Sequence, residues 1–338
     1  MIKYLGSKRQ LIPWIIETIR TNFPDSRSVA DIFSGTSRVG FALKEQGYSV
    51  AANDHNLFAY HIARCYLQTN QSDLPDNFGK IIKHLNNLPG KADFFTNNYC
   101  INARFFHPKN GEKIDAIRAG IDTLDIDEQI RSVLLVSLIE AADRIDSTCG
   151  IQMAFLKGWA PRAHLPLTLR VPSLLEAQSG TSYQAHCLDA KEAAQKIECD
   201  IAYLDPPYNQ HSYRSNYHIW ETLVRNDRPE LYGRAQKRLD CQTYKSDFNS
   251  KPKFRSSLLE VLSNLNTRKI VLSFSDEGFI TKSEIETLLS QFGKVSSQQI
   301  DYKRYVGAQI GIYNQKGRKV GQIKKLRNKE FLYVVNPT

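Results

Sequence analysis

The sequence predicts an α/β fold interrupted once by a helical insert. Two observations carry this. A strand, a glycine turn, a helix, a second strand and an acid follow one another over residues 28–54, and further strands resume only from residue 183. Between them the apolar spacing is 3.6 and not 2, the period of helices.

The elements follow in order. "SVADIFSGTSRVG" (28–40) reads as a short apolar strand breaking into a Gly/Ser/Thr turn, and "VGFALKEQGY" has helical spacing that closes on Gly47. "SVAAND" (49–54) is the next strand and ends in Asp54. A unit of this kind binds nucleosides at the carboxyl ends of parallel strands, with the acid placed where a ribose lies. From about residue 57, "LFAYHIARCYLQ", "EKIDAIRAGIDTL" and "IRSVLLVSLIEAADRID" read as helices, with polar and aromatic loops between and after them. Residues 61–182 are assigned to this insert, and residues 1–60 and 183–338 to a discontinuous core. In the core, "YQAHCLDA" (183–190), "DIAYLDPP" (200–207), "KIVLSFSD" (269–276), "VSSQQIDY" (295–302) and "FLYVVN" (331–336) read as strands. "YHIWETLV" and "KSEIETLLSQF" read as helices between them.

Composition narrows the class. Hydrophobic residues make up 41% and charged residues 24%, values of a globular protein and not of a disordered one. No apolar run approaches the ~20 residues that span a bilayer. "MIKYLGSKRQLIPWI" has no signal-peptide pattern, so a cytoplasmic location and no membrane partner are expected. Six cysteines without a C-x-x-C pair are expected to be reduced core thiols, and no metal site is expected; His211 and His218 are read as packing or surface residues. The net charge is +10. Residues 1–204 are neutral, with 22 basic and 22 acidic side chains, and residues 205–338 hold 23 against 13. Residues 301–338 alone hold nine bases and two acids, which favours a polyanionic partner.

"LDPPYN" (204–209) carries the chemistry. Two prolines end a strand and hold the backbone nearly rigid, so the side chains and carbonyls around them stand at fixed positions. "DIFSGTSRVG" has Gly35 and Gly40 but lacks the three-glycine dinucleotide fingerprint, which argues against a pyrophosphate-bearing cofactor and an oxidoreductase. A nucleoside with a small polar tail fits what remains. Asp54 and Asp189, at the ends of successive strands, are then its hydrogen-bond acceptors.

In their order, "KYLGSK" (3–8), "DIFSGTSRVG", "AAND", "HCLDA" and "YLDPPYN" resemble the D12-class DNA adenine-N6 methyltransferases, the alpha group or Dam-like enzymes. "YNQHSYRSNYHIWETLVRND", "STCGIQMAFLKGW" and "NKEFLYVV" are similar to the subgroup that includes FokI-type modification enzymes. Thr36-Ser37-Arg38 departs from the pattern where many members carry a further glycine. The resemblance implies a class I S-adenosylmethionine-dependent methyltransferase with a Rossmann-like sheet, S-adenosylmethionine as donor, and duplex DNA as partner. It implies that Asp205, Pro206 and Tyr208 are catalytic: Asp205 and the Pro206 carbonyl accept the two N–H bonds of adenine N6, and Tyr208 stacks on the extracted base. Tyr4, Lys8, Asp31, Phe33, Gly35, Asp54, Asp189 and Asp205 then line the donor pocket, with Lys8 open to the methionine carboxylate or the target strand. The insert becomes the target-recognition domain. Lys157, Trp159 and Arg162 are its candidate DNA contacts, and Lys316, Arg318 and Lys319 those of a basic hairpin or loop near the carboxyl terminus. A monomer is expected, of restriction-modification, phage or orphan type. Three rivals were weighed: cytosine-N4 methylation, where serine more often replaces Asp205; methylation of adenine in RNA; and a nucleic-acid-binding module with an inactive pocket, disfavoured by Asp54, Asp205 and Tyr208.

Overall fold

The computed structural model describes residues 1–303, 312–313, 319–321 and 327–337, the side chains of 302–327 excepted. Seven strands form one sheet: β1 (Ser28–Asp31), β2 (Ser49–Asn53), β3 (Tyr183–His186), β4 (Ile201–Leu204), β5 (Ile270–Ser275), β6 (Lys294–Lys303) and β7 (Arg327–Asn336), in the order β3-β2-β1-β4-β5-β7-β6. β1 to β5 are parallel, and β7 enters antiparallel between β5 and β6. This is a Rossmann-like sheet. The chain runs outward from β1 to β3, then returns to start again at β4. The crevice between the carboxyl ends of β1 and β4 is therefore the switch point at which such sheets bind ligands.

Period-2 alternation sends successive residues to opposite faces. Val29, Val50, Ile201, Val271 and Leu332 pack beneath α1 (Ile12–Asn22) and α2 (Arg38–Glu45). Ala30, Ala202, Leu204, Leu272 and Tyr333 face the other way, toward α7 (Ala190–Lys196), α11 (Lys251–Asn264) and α12 (Lys282–Leu289). Phe254, Leu258, Val261 and Leu262 of α11 are completely buried there. Each such side chain contributes about 1.5–3 kcal/mol of transfer free energy.

A second core belongs to the helices α3 (Leu57–Ala63), α4 (Phe78–Asn87), α5 (Pro108–Asp122), α6 (Glu128–Ile145) and α9 (His218–Arg225). Thirteen of the eighteen residues of α6 are buried, so it is the central helix of this layer and not an amphipathic cover. Asp127 caps its start by accepting from the Ile130 N–H at 2.8 Å. The layer also takes in Ile2, Tyr217, Ile219 and Trp220, from both sides of the insert in sequence. Two π-helical turns, Arg64–Gln68 and Thr96–Asn102, lie within it, the second inside a stretch that reads as a loop. Lys3 ties residues 1–8 across the layer, through the Asp143 carbonyl at 2.6 Å and Asp146 Oδ1 at 2.8 Å.

The cysteines depart from the expectation of core thiols. Cys65 and Cys100 are buried, whereas Cys149 and Cys187 are exposed because they stand in loops and not on an apolar face. No helix among the described residues is long and apolar enough to cross a membrane.

Candidate active site

A cleft of about 1000 Å³, counting space open to solvent, lies over the switch point. Tyr4, Lys8, Asp31, Phe33, Gly35, Asp54, Asp189 and Asp205 all line it. Asp31 ends β1 and Asp205 directly follows the neighbouring β4, where Asp31 pairs in register with Tyr203. The glycine turn and the Asp-Pro-Pro-Tyr stretch are thus brought side by side by strand pairing alone.

The turn after β1 is locked from several sides. Asp54 accepts the Gly35 N–H through Oδ2 at 2.9 Å, while Oδ1 accepts the N–H of Asn56 at 2.8 Å. Gly35 has φ +51°, and a Cβ there would lie 3.0 Å from the Tyr4 ring. Only glycine suits both the conformation and the approach. Ser37, where a further glycine stands in many of the enzymes this sequence resembles, takes the left-handed conformation itself, with φ +54°. The turn keeps its shape at a strain of order 1–2 kcal/mol. Tyr4 packs near-parallel against two rings, with centroids 4.6 Å from Tyr217 and 5.1 Å from Tyr213.

Electrostatically the floor of the cleft is acidic. Burial holds Asp31 well above the ordinary carboxylate range, and the charges of Asp205 and Asp54 add to the rise; its Oδ1 has no hydrogen-bond partner among the described residues. Burial also raises Asp54, against the three N–H bonds it accepts from the Gly35 and Asn56 backbones and the Asn56 side chain. Asp205 is pushed up to about 6, first by burial and then by Glu330, with Lys8 pulling the other way. Lys8 Nζ lies 3.0 Å from Asp205 Oδ1 and 2.6 Å from Glu330 Oε1. Burial alone would lower the Lys8 amine, but the two carboxylates outweigh it and raise it well above its ordinary value. Four carboxylic acids with one buried ammonium favour a positively charged ligand.

The remaining predicted residues fall less uniformly. Pro207 lines the cleft, while Pro206 is buried and Tyr208 packs edge-on to Phe274 with centroids 5.5 Å apart. Asp189 also caps α7 by accepting the Lys191 N–H at 3.0 Å. Arg162 is half-exposed and tied down, its Nε 2.9 Å from Asp146 Oδ1 and its Nη2 2.7 Å from the Thr148 carbonyl. Trp159 carries the Arg104 guanidinium 4.9 Å above its ring, and Lys157 is exposed. Lys316 and Arg318 lie outside the described residues, as does the side chain of Lys319.

Several cleft residues went unread in the sequence. His55 stacks on Tyr244 at 4.4 Å, and the Arg214 guanidinium lies 4.5 Å over the same Tyr244 ring. Phe248 meets Phe33 edge-on at 5.0 Å. Tyr213 and Arg214 stand in the aromatic run after Asp-Pro-Pro-Tyr, which was a signal. Tyr244 and Phe248 have none of their own.

Comparison with known proteins settles the kind of enzyme. The model of the D12 class N6 adenine-specific DNA methyltransferase family matches residues 4–288. The chain belongs to that family. This D12 methyltransferase is 29% identical to the type II methyltransferase M.NlaIII of Neisseria lactamica, over 98% of the chain and 100% of that protein. It is 32% identical to the modification methylase StsI of Streptococcus sanguinis and 31% to the type II methyltransferase M.FokI of Planomicrobium okeanokoites. Those matches take in 90% of the chain but only 49% and 50% of the two relatives. The likeness to FokI-type enzymes therefore stands, and the activity is methylation of adenine N6 in DNA.

Proposed function

We propose that this D12 methyltransferase modifies chosen sites in duplex DNA as the modification partner of a restriction system. In this reading the cleft holds S-adenosylmethionine, and the target adenine is turned out of the duplex onto Asp205-Pro206-Pro207-Tyr208. The observation that carries it is the pairing of β1 with β4, which sets the donor-type turn beside the Asp205 clamp.

The residues fit such a donor. Ser7 Oγ, Asp31 Oδ1, Ser34 Oγ and Asn56 Oδ1 are buried polar atoms without partners among the described residues, and all four residues line the cleft. Asp31, Phe33 and Gly35 would frame the methionine part, Asp54 the ribose and Asp189 the donor adenine. When bound, the donor supplies an electrophilic methyl group, which bonds to N6 as the carbon–sulfur bond breaks and leaves its electron pair on sulfur. The chain's part lies in holding N6. The amine is a poor nucleophile because its lone pair is delocalised into the ring. Accepting its two N–H bonds at Asp205 and at the Pro206 carbonyl draws the nitrogen toward a tetrahedral geometry, and the rigid prolines keep both acceptors in place. Asp205 is then the nearest base for the proton that N6 must shed. Extracting a base costs a few kcal/mol, which stacking on Tyr208 and backbone contacts offset. Target choice falls to the helical insert, approximately residues 61–182.

The test is expression in a methylation-free host, followed by sequencing of genomic DNA. One recurring sequence carrying N6-methyladenine is expected. Modified adenine scattered without a common sequence would overturn the site-specific reading.

A further inference from the structure

Glu330 is the one acid of the site that no part of the proposed reaction uses. It lies on β7 with its side chain completely buried; Oε1 accepts from Lys8 Nζ at 2.6 Å and from Ser273 Oγ at 2.6 Å, and Oε2 has no hydrogen-bond partner among the described residues. A buried carboxylate without enough partners is destabilising by several kcal/mol, so simple neutralisation of Lys8 by Asp205 alone would make the more stable core. Its place behind Lys8 has a consequence for Asp205.

We propose that Glu330 is a positioning residue for methyl transfer: it shares the Lys8 ammonium, so that Asp205, Lys8 and Glu330 together keep a net negative charge while Lys8 holds Asp205 Oδ1 and leaves Oδ2 to face the adenine amine. The inference rests on Asp205 being the N6 acceptor. Lys8 stands closer to Glu330 than to Asp205, 2.6 Å against 3.0 Å. With Glu330 present the three groups sum to one negative charge, at the spot where positive charge develops on N6. Without it, Asp205 and Lys8 sum to zero and the amine faces a neutralised acceptor. Electrostatic stabilisation of this kind acts most strongly in a site shielded from water.

The other titratable groups facing the three are Asp31 on β1, Tyr203 on β4, Tyr208 beyond it and Tyr333 on β7, with Tyr4 and Asp54 across the cleft. The negative charge of Glu330 raises the Asp205 carboxyl and Lys8 lowers it. Two variants must therefore move the acid limb of the reaction in opposite directions. Glu330→Gln lets the full Lys8 charge act on Asp205, so the limb moves to lower pH. Lys8→Met/Glu330→Leu removes both influences, of which that of Lys8 is the larger, so the limb moves to higher pH, and of the three groups only Asp205 is left to ionise.

The measurement is the single-turnover rate of methyl transfer against pH, since product release often limits kcat. Calorimetric donor affinity and thermal midpoint are read on the same samples. For Glu330→Gln we expect a rate on the order of ten- to a hundredfold below wild type, a limb at lower pH, unchanged donor affinity, and recovery of the wild-type limb in Glu330→Asp. A folded Glu330→Gln with the wild-type rate, or with a slower rate and an unmoved limb, would overturn the proposal. Should Glu330→Gln not fold, an unmoved limb in the double variant overturns it equally. Full activity of Asp205→Ala would sink the acceptor reading itself, whereas an inert Asp205→Ala beside a normal Glu330→Gln would sink only the role of Glu330.

Discussion

The Asp205 carboxyl group changes charge near pH 6, within the range in which enzymes are assayed, because burial raises it against the pull of Lys8. As an acceptor it works only when ionised. Transfer should therefore fall as pH drops through about 6, and Asp205→Ala should abolish it while the thermal midpoint holds. Wild-type turnover in that variant, read by incorporation of labelled methyl groups, would refute the clamp. Tyr208→Ala should cut transfer heavily with donor affinity unchanged. Asp54 makes a second case, since its two oxygens hold the Gly35 turn and Asn56. Removing hydrogen bonds to a charged group costs about 1.5–3 kcal/mol, so Asp54→Ala should weaken donor binding roughly ten- to a hundredfold by calorimetry. At this scale the sequence was legible where chemistry is concentrated in a short motif. Asp31, Asp54 and Asp205 each end a strand beside a turn, and that is a local pattern. Glu330 is not local: in the sequence it reads as the last residue of the basic run 313–330, ahead of the strand "FLYVVN", and only the pairing of β7 with β5 brings it beside Ser273 and within reach of Lys8.

Elements were legible in proportion to the strength of their period. All seven core strands stand where alternation and flanking turns put them; the inner ones bury one or both faces against helices, while the described side chains of the edge strands β3 and β6 are only partly covered. Their order was not legible. That β7 inserts antiparallel between β5 and β6 depends on contacts far apart in sequence. The helical layer was readable in α5 and α6 and less so in α4, which lies within a polar-looking stretch and buries only Phe78, Ile82 and Leu85. Its two interior histidines lead to a stability prediction. His218 is lowered to about 3 by burial, its Nε2 donating to the Gln152 carbonyl and its Nδ1 having no partner among the described residues; His61 is lowered to about 4 by burial, with Arg64 nearby. A histidine with a depressed folded value contributes stability that is present above its unfolded value of about 6.5 and is lost as pH falls toward the folded value. Between about pH 6 and 4 each should therefore remove about 1.4 kcal/mol per pH unit. Urea unfolding of wild type and His61→Gln/His218→Gln should show a less stable double variant at pH 7 but a flatter decline below pH 6. Parallel declines would mean that neither histidine is held neutral.

For the whole molecule, the distribution of charge decides how DNA is held. The first 204 residues are neutral and the cleft floor is acidic, so neither supplies the attraction that a polyanion requires. The excess lies after Asp205, and nine of its bases lie in residues 301–338. Seven of those nine lie in "YNQKGRKVGQIKKLRNKE" (313–330), which ends in the first residues of β7. We propose that these bases contact DNA phosphates. Such contacts hold without reading, because the backbone is the same for every sequence. Each lost phosphate contact lowers the slope of log affinity against log salt by about 0.9. Replacing Lys316, Arg318 and Lys319 together with alanine should weaken binding of every duplex alike, most visibly at low salt, and should reduce that slope by roughly 2–3. Donor affinity and the methylated sequence should be unaltered, since the cleft lies on other residues and target choice is assigned to the helical layer. A salt titration of duplex binding by wild type and triple variant checks this. Equal slopes would leave these three residues without a phosphate to hold and return the search for the DNA-binding face to Lys157 and the Arg104–Trp159 pair on the insert.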